Sequence, residues 1–282
     1  MSNIQAIVFS DMDGSLLDHE TYSHADADPV LARLDELKIP VIPCTSKTFS
    51  ELQLIRAELN NHHPFVVENG AAVYIPSDYF DEMPYDAVVR EGYLVKEFVN
   101  DRQHWQSILQ SLKLHLNDAF LTFHQAGVDK IVEMTGLSIE QAQRANDRQY
   151  GEPLKWLGTE SEYEVFKEYV DQQGGKLLTG GRFIHLSGEC DKGQALKWLM
   201  GTFANHSVKH AFKSIAVGDS QNDIAMIESA DYGILIRSPV HTFPETDKPV
   251  YKTKDTGSKG WVEGIKFIFN KLGISLHTKA PL

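Results

Sequence analysis

Apolar residues fall in short unbroken runs at the start of the chain and again near its end, with helical spacing between the runs. Ile4 to Phe9, Ile39 to Cys44 and Phe65-Val66-Val67 are the first three runs. None alternates cleanly, which is the pattern of a strand covered on both faces. Between them, Val30, Leu31, Leu34 and Leu37 share one face of a helix within 25–37, and Leu52, Ile55 and Leu59 share one face of a second. The order strand, helix, strand, helix, strand predicts a parallel sheet with crossover helices. Ala71 to Ile75 is apolar again, so Asn69-Gly70 reads as a hairpin turn.

From about Pro84 to about Gly181 the rhythm is mixed. Helical patterns cover 103–116, 138–148 and 160–173, with short strands between them, and Gly174-Gly175 and Gly180-Gly181 punctuate turns. After Arg182 the α/β alternation returns. A helix opens at Asp191-Lys192-Gly193, strands cover Ser214 to Val217 and Tyr232 to Ile236, and an amphipathic helix runs from Trp261 to Leu272. The expected organisation is an α/β core from 1–84 and 186–282, interrupted by an α+β domain at 85–185. Residues 275–282 read as a frayed tail.

Composition narrows the function classes. The 282 residues are 42% hydrophobic and 23% charged, ordinary for a globular chain. Net charge is -12, from 39 acidic and 27 basic residues, with no basic stripe, which argues against a nucleic-acid partner. The two cysteines, Cys44 and Cys190, have no metal spacing and make no disulfide framework. No apolar stretch approaches membrane-spanning length, and no leader pattern opens the chain, so a cytoplasmic protein is expected. The histidines, His62-His63 among them, show no metal spacing and read as surface.

The chemistry gathers at strand ends. Asp11 and Asp13 follow the first run, and residues i and i+2 of an extended chain point the same way. Two carboxylates so close call for a cation, most simply Mg2+, unless one of them merely caps an Asx turn. Thr45-Ser46 ends the second run just before a helix, as an anion site or as a plain cap. Lys192 stands at a helix start, where a cation opposes the macrodipole unless an anion compensates it. Gly218-Asp219-Ser220-Gln221-Asn222-Asp223 follows a strand and opens a helix; Asp219 is a candidate metal ligand, with Asp223 one turn on.

In that order, Asp11-Met12-Asp13-Gly14-Ser15, Thr45, Lys192 and Gly218 to Asp223 resemble the four motifs of the haloacid dehalogenase superfamily of phosphatases. Ser15 stands where threonine is more usual. The resemblance implies a Rossmann-like parallel-sheet core with an inserted α+β cap of type IIB. It implies Asp11 as nucleophile, Asp13 as general acid and base, and Thr45 and Lys192 as phosphoryl-oxygen ligands. Mg2+ would be held by Asp11, the Asp13 carbonyl and Asp219, with Asn222 and Asp223 orienting Lys192 and metal-bound water.

Further stretches resemble the subfamily of mannosyl-3-phosphoglycerate phosphatases. They are Thr45 to Thr48, Glu68 to Ala71, Met134 to Ser138, Gly180 to Phe183 with His185, Asp191 to Gly193, and Gly257 to Trp261, the last with departures at Ser258 and Lys259. The implied reaction is release of mannosylglycerate and phosphate; the alternatives are a glucosyl or general sugar-phosphate substrate, or a phosphomannomutase-like transfer. A sugar phosphoglycerate carries a phosphate, a carboxylate and hydroxyls. Ser46, Lys47, Glu68, Asn69, Lys130, Arg144, Arg148 and Arg182 are the candidates to meet them. Arg144 and Arg148 would share a helix face, either on the substrate or as a solvated stripe paired with Asp147 or Glu152. Trp156, Trp198 and Trp261 suit core packing better than sugar stacking.

Overall fold

The computed structural model describes residues 4–276 apart from 114, 117, 181 and 207–210. Gly181 of the expected Gly180-Gly181 turn, and the tail beyond 276, lie outside that set. In chain order the elements are β1 (Ile4–Ser10), α1 (Asp28–Glu36), β2 (Val41–Pro43), α2 (Phe49–Glu58), β3 (Phe65–Val67), β4 (Ala72–Pro76), β5 (Val88–Arg90) and β6 (Tyr93–Glu97). Then follow α3 (Arg102–Leu112), β7 (Phe120–Thr122), α4 (Phe123–Thr135), α5 (Ile139–Asn146), β8 (Glu152–Trp156), α6 (Glu160–Gln172), β9 (Gly175–Gly180) and β10 (Phe183–Gly188). The last are α7 (Lys192–Asn205), β11 (Ala211–Gly218), α8 (Ile224–Ser229), β12 (Tyr232–Arg237), β13 (Tyr251–Thr256) and α9 (Gly257–Lys271). The chain divides into two compact units: the described parts of Met1–Thr45, His62–Val95 and Asp191–Leu282, and those of Ser46–Asn61 and Lys96–Cys190.

The first unit is built on a sheet in the order β13-β12-β11-β1-β2, parallel at every pairing. Ile7, Phe9, Ile215, Val217 and Ile234 have no exposed surface, as strands covered on both faces require. Helix α9 packs on β12 and β13, and α7 packs on β11 and α8. β3 touches this sheet through one parallel bridge, Val66 to Cys44, and then pairs antiparallel with β4. The edge strand β13 escaped the sequence reading: in Tyr-Lys-Thr-Lys-Asp-Thr only Thr253 is buried, so no apolar run marks it.

The second unit holds an antiparallel sheet, β7-β8-β10-β9. β10 alternates cleanly: Ile184 and Leu186 join a core with Trp105, Leu109, Phe120 and Phe166, while Phe183 packs with Phe123, Ile131 and Ala142. α4 was not expected, because Gly127 sits inside it at φ +69° and breaks the helical period. α2 belongs to this unit and starts at Thr48, which forms a capping box with Glu51. The Thr48 hydroxyl also donates to the Arg144 carbonyl at 2.9 Å, and Ser50 donates to Asp147.

A buried ion pair ties the second unit together. Arg102 Nε and Nη2 donate to Glu152 Oε2 and Oε1 at 2.6 and 3.0 Å, and Glu152 is fully buried. Gln106 Nε2 and the His124 N–H complete the carboxylate at 3.1 Å each, while Arg102 also reaches Asn146 O and Oδ1 at 2.5 and 2.8 Å. Removing the carboxylate leaves a partly buried guanidinium with only its Asn146 bonds, so Glu152→Ala is expected to cost about 2–3 kcal/mol, read as a fall in the urea midpoint.

Candidate active site

Three adjacent strands of the parallel sheet, β11, β1 and β2, end level. Ser10 is in register with Val217 on one side and Pro43 on the other. Asp11, Gly218-Asp219 and Cys44-Thr45 therefore leave the sheet at one edge, the carboxyl edge where open α/β sheets bind ligands. The ladder runs one step further, with Asp11 N–H on Val217 O and Cys44 N–H on Ser10 O, both at 2.8 Å. Met12, Leu16 and Leu17 are buried and anchor the loop that Asp11 begins.

Lys192 is the first residue of α7, after Asp191, whose side chain accepts from Gln194 N–H. Its Nζ donates to Asp11 Oδ1 at 2.6 Å and Asp223 Oδ1 at 2.7 Å, and all three side chains are buried. The anion that a lysine needs at a helix start is thus a pair of carboxylates. Burial works against the ammonium, but Asp11 and Asp223 outweigh it and hold Lys192 protonated above its usual range. Asp223 Oδ2 turns the other way and accepts from Asp219 N–H, Ser220 N–H and Ser220 Oγ–H at 3.1, 3.1 and 3.2 Å. One side chain therefore shapes the Gly218–Asp223 turn and holds the lysine.

Carboxylate oxygens of Asp11, Asp219 and Asp223 lie within 4.8 Å of one another. Burial, with Asp223 next, pushes the Asp11 carboxyl up to about 8; Lys192 opposes the shift and Asp13 adds to it. Burial and then Asp223 push Asp219 to about 6. One ammonium does not offset this crowd of acids. A hard cation with oxygen ligands fits the donor set, and Asp11 with Asp219 would hold it. Gly14 permits the approach: at φ +75°, a Cβ there would lie 2.6 Å from Asp219 Oδ2. The Asp13 carboxylate is not part of the cluster, and it is less buried than Asp11.

Thr45 is fully buried beside the β3–β4 turn; its N–H donates to Val66 O at 3.1 Å and its carbonyl accepts from Asn69 N–H at 2.9 Å. The turn is longer than the expected Asn69-Gly70. It spans 68–71, and Glu68, Asn69 and Gly70 all have positive φ. Glutamate rarely adopts φ +48°, and nothing in the sequence signals it. A Cβ on Gly70 would lie 2.2 Å from Asp191 O, so this turn rests directly on the start of α7. Asn69 Oδ1 accepts from Asn222 Nδ2 at 3.0 Å, which joins this turn to the Gly218–Asp223 turn.

The remaining candidates lie in the second unit. Arg148 Nη2 donates to Ser46 O at 3.1 Å, which places Arg148 beside the Ser46-Lys47 segment. Arg144 and Arg148 do not share a helix face, because α5 stops at Asn146 and Asp147 leaves helical geometry at ψ 53°. Their proposed surface partners are engaged elsewhere, Asp147 by Ser50 and Glu152 by Arg102. Burial, then the charge of Arg148, lowers His185 to about 4, so the imidazole is neutral. Lys130 is exposed and paired with Glu133 at 2.7 Å, and exposed Arg182 donates to Thr135 O at 3.3 Å. Thr45 and Ser46 cap no helix, since Thr48 does.

The raised carboxyls set an expectation for cation binding. Asp11 and Asp219 retain protons that an unfolded chain releases near 3.8. Their contribution to stability is present below that value and is lost as pH rises through about 6 and about 8. A divalent cation competes with those protons. Added Mg2+ should therefore raise Tm against an EDTA control by more at about pH 8.5 than at about pH 5. Calorimetry in matched buffers checks this.

Four similarities now bear on identity. A family model described as haloacid dehalogenase-like hydrolase matches residues 8–255. The chain is 32% identical over 267 residues to the glucosyl-3-phosphoglycerate/mannosyl-3-phosphoglycerate phosphatase of Methanococcoides burtonii, covering 94% of this chain and 97% of that protein. It is 34% identical over 271 residues to the protein of the same name from Persephonella marina, covering 94% and 98%. The crystal structure of a haloacid dehalogenase-like hydrolase from Bacteroides thetaiotaomicron shares the fold, with a TM-score of 0.65 at 16% identity over 95% of this chain and 99% of that one. Among the described residues no helix is long and apolar enough to cross a membrane. With its strand-end carboxylates, buried lysine and match along most of its length, the chain belongs to the haloacid dehalogenase-like hydrolases.

Proposed function

We propose that the protein hydrolyses a phosphate monoester at the Asp11 centre. The observation that carries this reading is the buried Lys192 ammonium, bonded to both Asp11 and Asp223 with the Asp219 carboxylate beside them. A cation fixed against a carboxylate nucleophile suits a dianionic phosphoryl group. Asp11 attacks phosphorus, the ester P–O bond breaks, and an aspartyl-phosphate forms. Asp13 gives its proton to the leaving alkoxide. It then takes one from the water that attacks the aspartyl-phosphate, which regenerates Asp11 and frees inorganic phosphate.

Thr45 and Lys192 hold the phosphoryl oxygens, and Asp223 keeps Lys192 aimed at Asp11. Asn222, through Asn69, steadies the turn that carries Asp219. A Mg2+ ion held by Asp11, the Asp13 carbonyl and Asp219 would supply charge neutralisation of the phosphoryl group. Ser46, Lys47, Glu68 and Asn69 are assigned to substrate, with Arg148, half-buried beside a neutral His185, as the leading candidate for a carboxylate. Arg144, Lys130 and Arg182 are further candidates for the carboxylate, with Lys130 paired to Glu133 and both Lys130 and Arg182 exposed.

Both relatives carry names for action on glucosyl- and mannosyl-3-phosphoglycerate. We infer the same substrate class here, with 2-O-mannosyl-3-phosphoglycerate first and the glucosyl compound as the alternative. The expected test is phosphate release with Mg2+ across both compounds and a set of common sugar phosphates. A strong kcat/KM preference for the two phosphoglycerates supports the reading; flat activity overturns the substrate class but not the hydrolase. Free phosphate, rather than an isomeric sugar phosphate, separates hydrolysis from phosphoryl transfer. Asp11→Asn is expected to lower kcat about 10³-fold or more in a chain that still folds, and retained activity would remove Asp11 as nucleophile.

A further inference from the structure

The Gly257–Trp261 turn has no part in the chemistry above, yet it is joined to the nucleophile. Trp261 and Ser10 have no exposed surface, and Trp261 Nε1–H donates to Ser10 Oγ at 3.0 Å. The Ser10 hydroxyl in turn donates to the Asp11 carbonyl oxygen at 2.7 Å. An indole is a donor only, so the direction of the chain is fixed: Trp261 to Ser10 to Asp11. On the other side of the same residue, Asp11 N–H donates to Val217 O at 2.8 Å. Both polar groups of the Asp11 main chain are held, the carbonyl also by Leu16 N–H at 3.4 Å, which fixes the backbone from which the carboxylate projects towards Lys192.

The rest of the turn braces the loop that Asp11 opens. Gly257 has φ +52°, and a Cβ there would lie 3.0 Å from Asp18 Cα. Ser258 Oγ donates to Asp26 Oδ2 at 3.2 Å. A Cβ on Gly260 would lie 2.3 Å from Asp255 O, so the first turn of α9 packs directly on the end of β13. Packing alone does not explain the polar pair. A purely apolar pair would leave no buried donor to satisfy.

We propose that Ser10 and Trp261 are positioning residues that hold the Asp11 carboxylate, through its main chain, in line for attack. The inference rests on Asp11 being the attacking group. Breaking the chain loosens the attack geometry and leaves Thr45 and Lys192 in place to bind phosphate, so kcat falls while KM holds.

The test uses the full chain with Mg2+ and p-nitrophenyl phosphate. Ser10→Ala and Trp261→Phe should each lower kcat about tenfold with KM within about twofold of wild type. The double variant should be no slower than the slower single, because one break already severs the chain. Ser10→Thr, which keeps the hydroxyl, should restore most of kcat. Wild-type kcat in Ser10→Ala overturns the inference, as does Ser10→Thr no faster than Ser10→Ala, or a double variant slowed by the product of the singles. Should Trp261→Phe fail to fold, the two Ser10 variants decide alone. Asp11→Asn separates the levels: activity retained there defeats the nucleophile, whereas its loss beside an unimpaired Ser10→Ala defeats only the positioning role.

Discussion

A charged lysine with no exposed surface is the constraint around which the first unit is arranged. An unpaired ammonium in such a place would cost several kcal/mol. Lys192 avoids that cost only because Asp11 and Asp223 both reach it. Those two carboxylates come from the ends of different strands, and the lysine from the start of a helix. The register that brings Ser10 level with Val217 is therefore a condition of the charge balance as much as of the sheet.

Close approach is bought with glycine in this site. Gly14 lets the Asp219 carboxylate come against the first loop, Gly218 lets Asp223 fold back on its own turn, and Gly70 lets the β3–β4 turn rest on Asp191. A Cβ at any of the three would lie 2.6 Å or less from its neighbour. The strain sits beside them, in Glu68 at φ +48° and Asn69 at φ +61°. Strained backbone persists only where its surroundings hold it, here through Thr45 O and Asn222.

The second unit is organised by a different charge. Glu152 is fully buried and bonded by Arg102, Gln106 and the His124 N–H, and Arg102 also fixes Asn146 at the end of α5. The segment that follows carries Arg148, whose guanidinium holds the Ser46 carbonyl and adds to the burial that keeps His185 neutral. A structural ion pair and a candidate recognition group are thus joined by a few residues of chain. The place of Arg148 therefore depends on a network anchored at Glu152.

Local pattern alone determined the parallel sheet, the mixed segment within it, and the polar residues at the strand ends. Strand burial and helix period are written into neighbouring residues, so Asp11, Thr45, Lys192 and Asp219 were legible as positions. Gly127 inside α4 and the polar edge strand β13 were not, since one breaks the period and the other buries a single residue. The end of α5 between Arg144 and Arg148 was missed for the same reason: nothing local marks it. Tertiary structure decided which groups meet. Lys192 stands 181 residues from Asp11, and Trp261 stands 251 from Ser10. No spacing rule spans such separations; only the order of strands in the sheet and the seating of helices at its edge bring a donor to its acceptor.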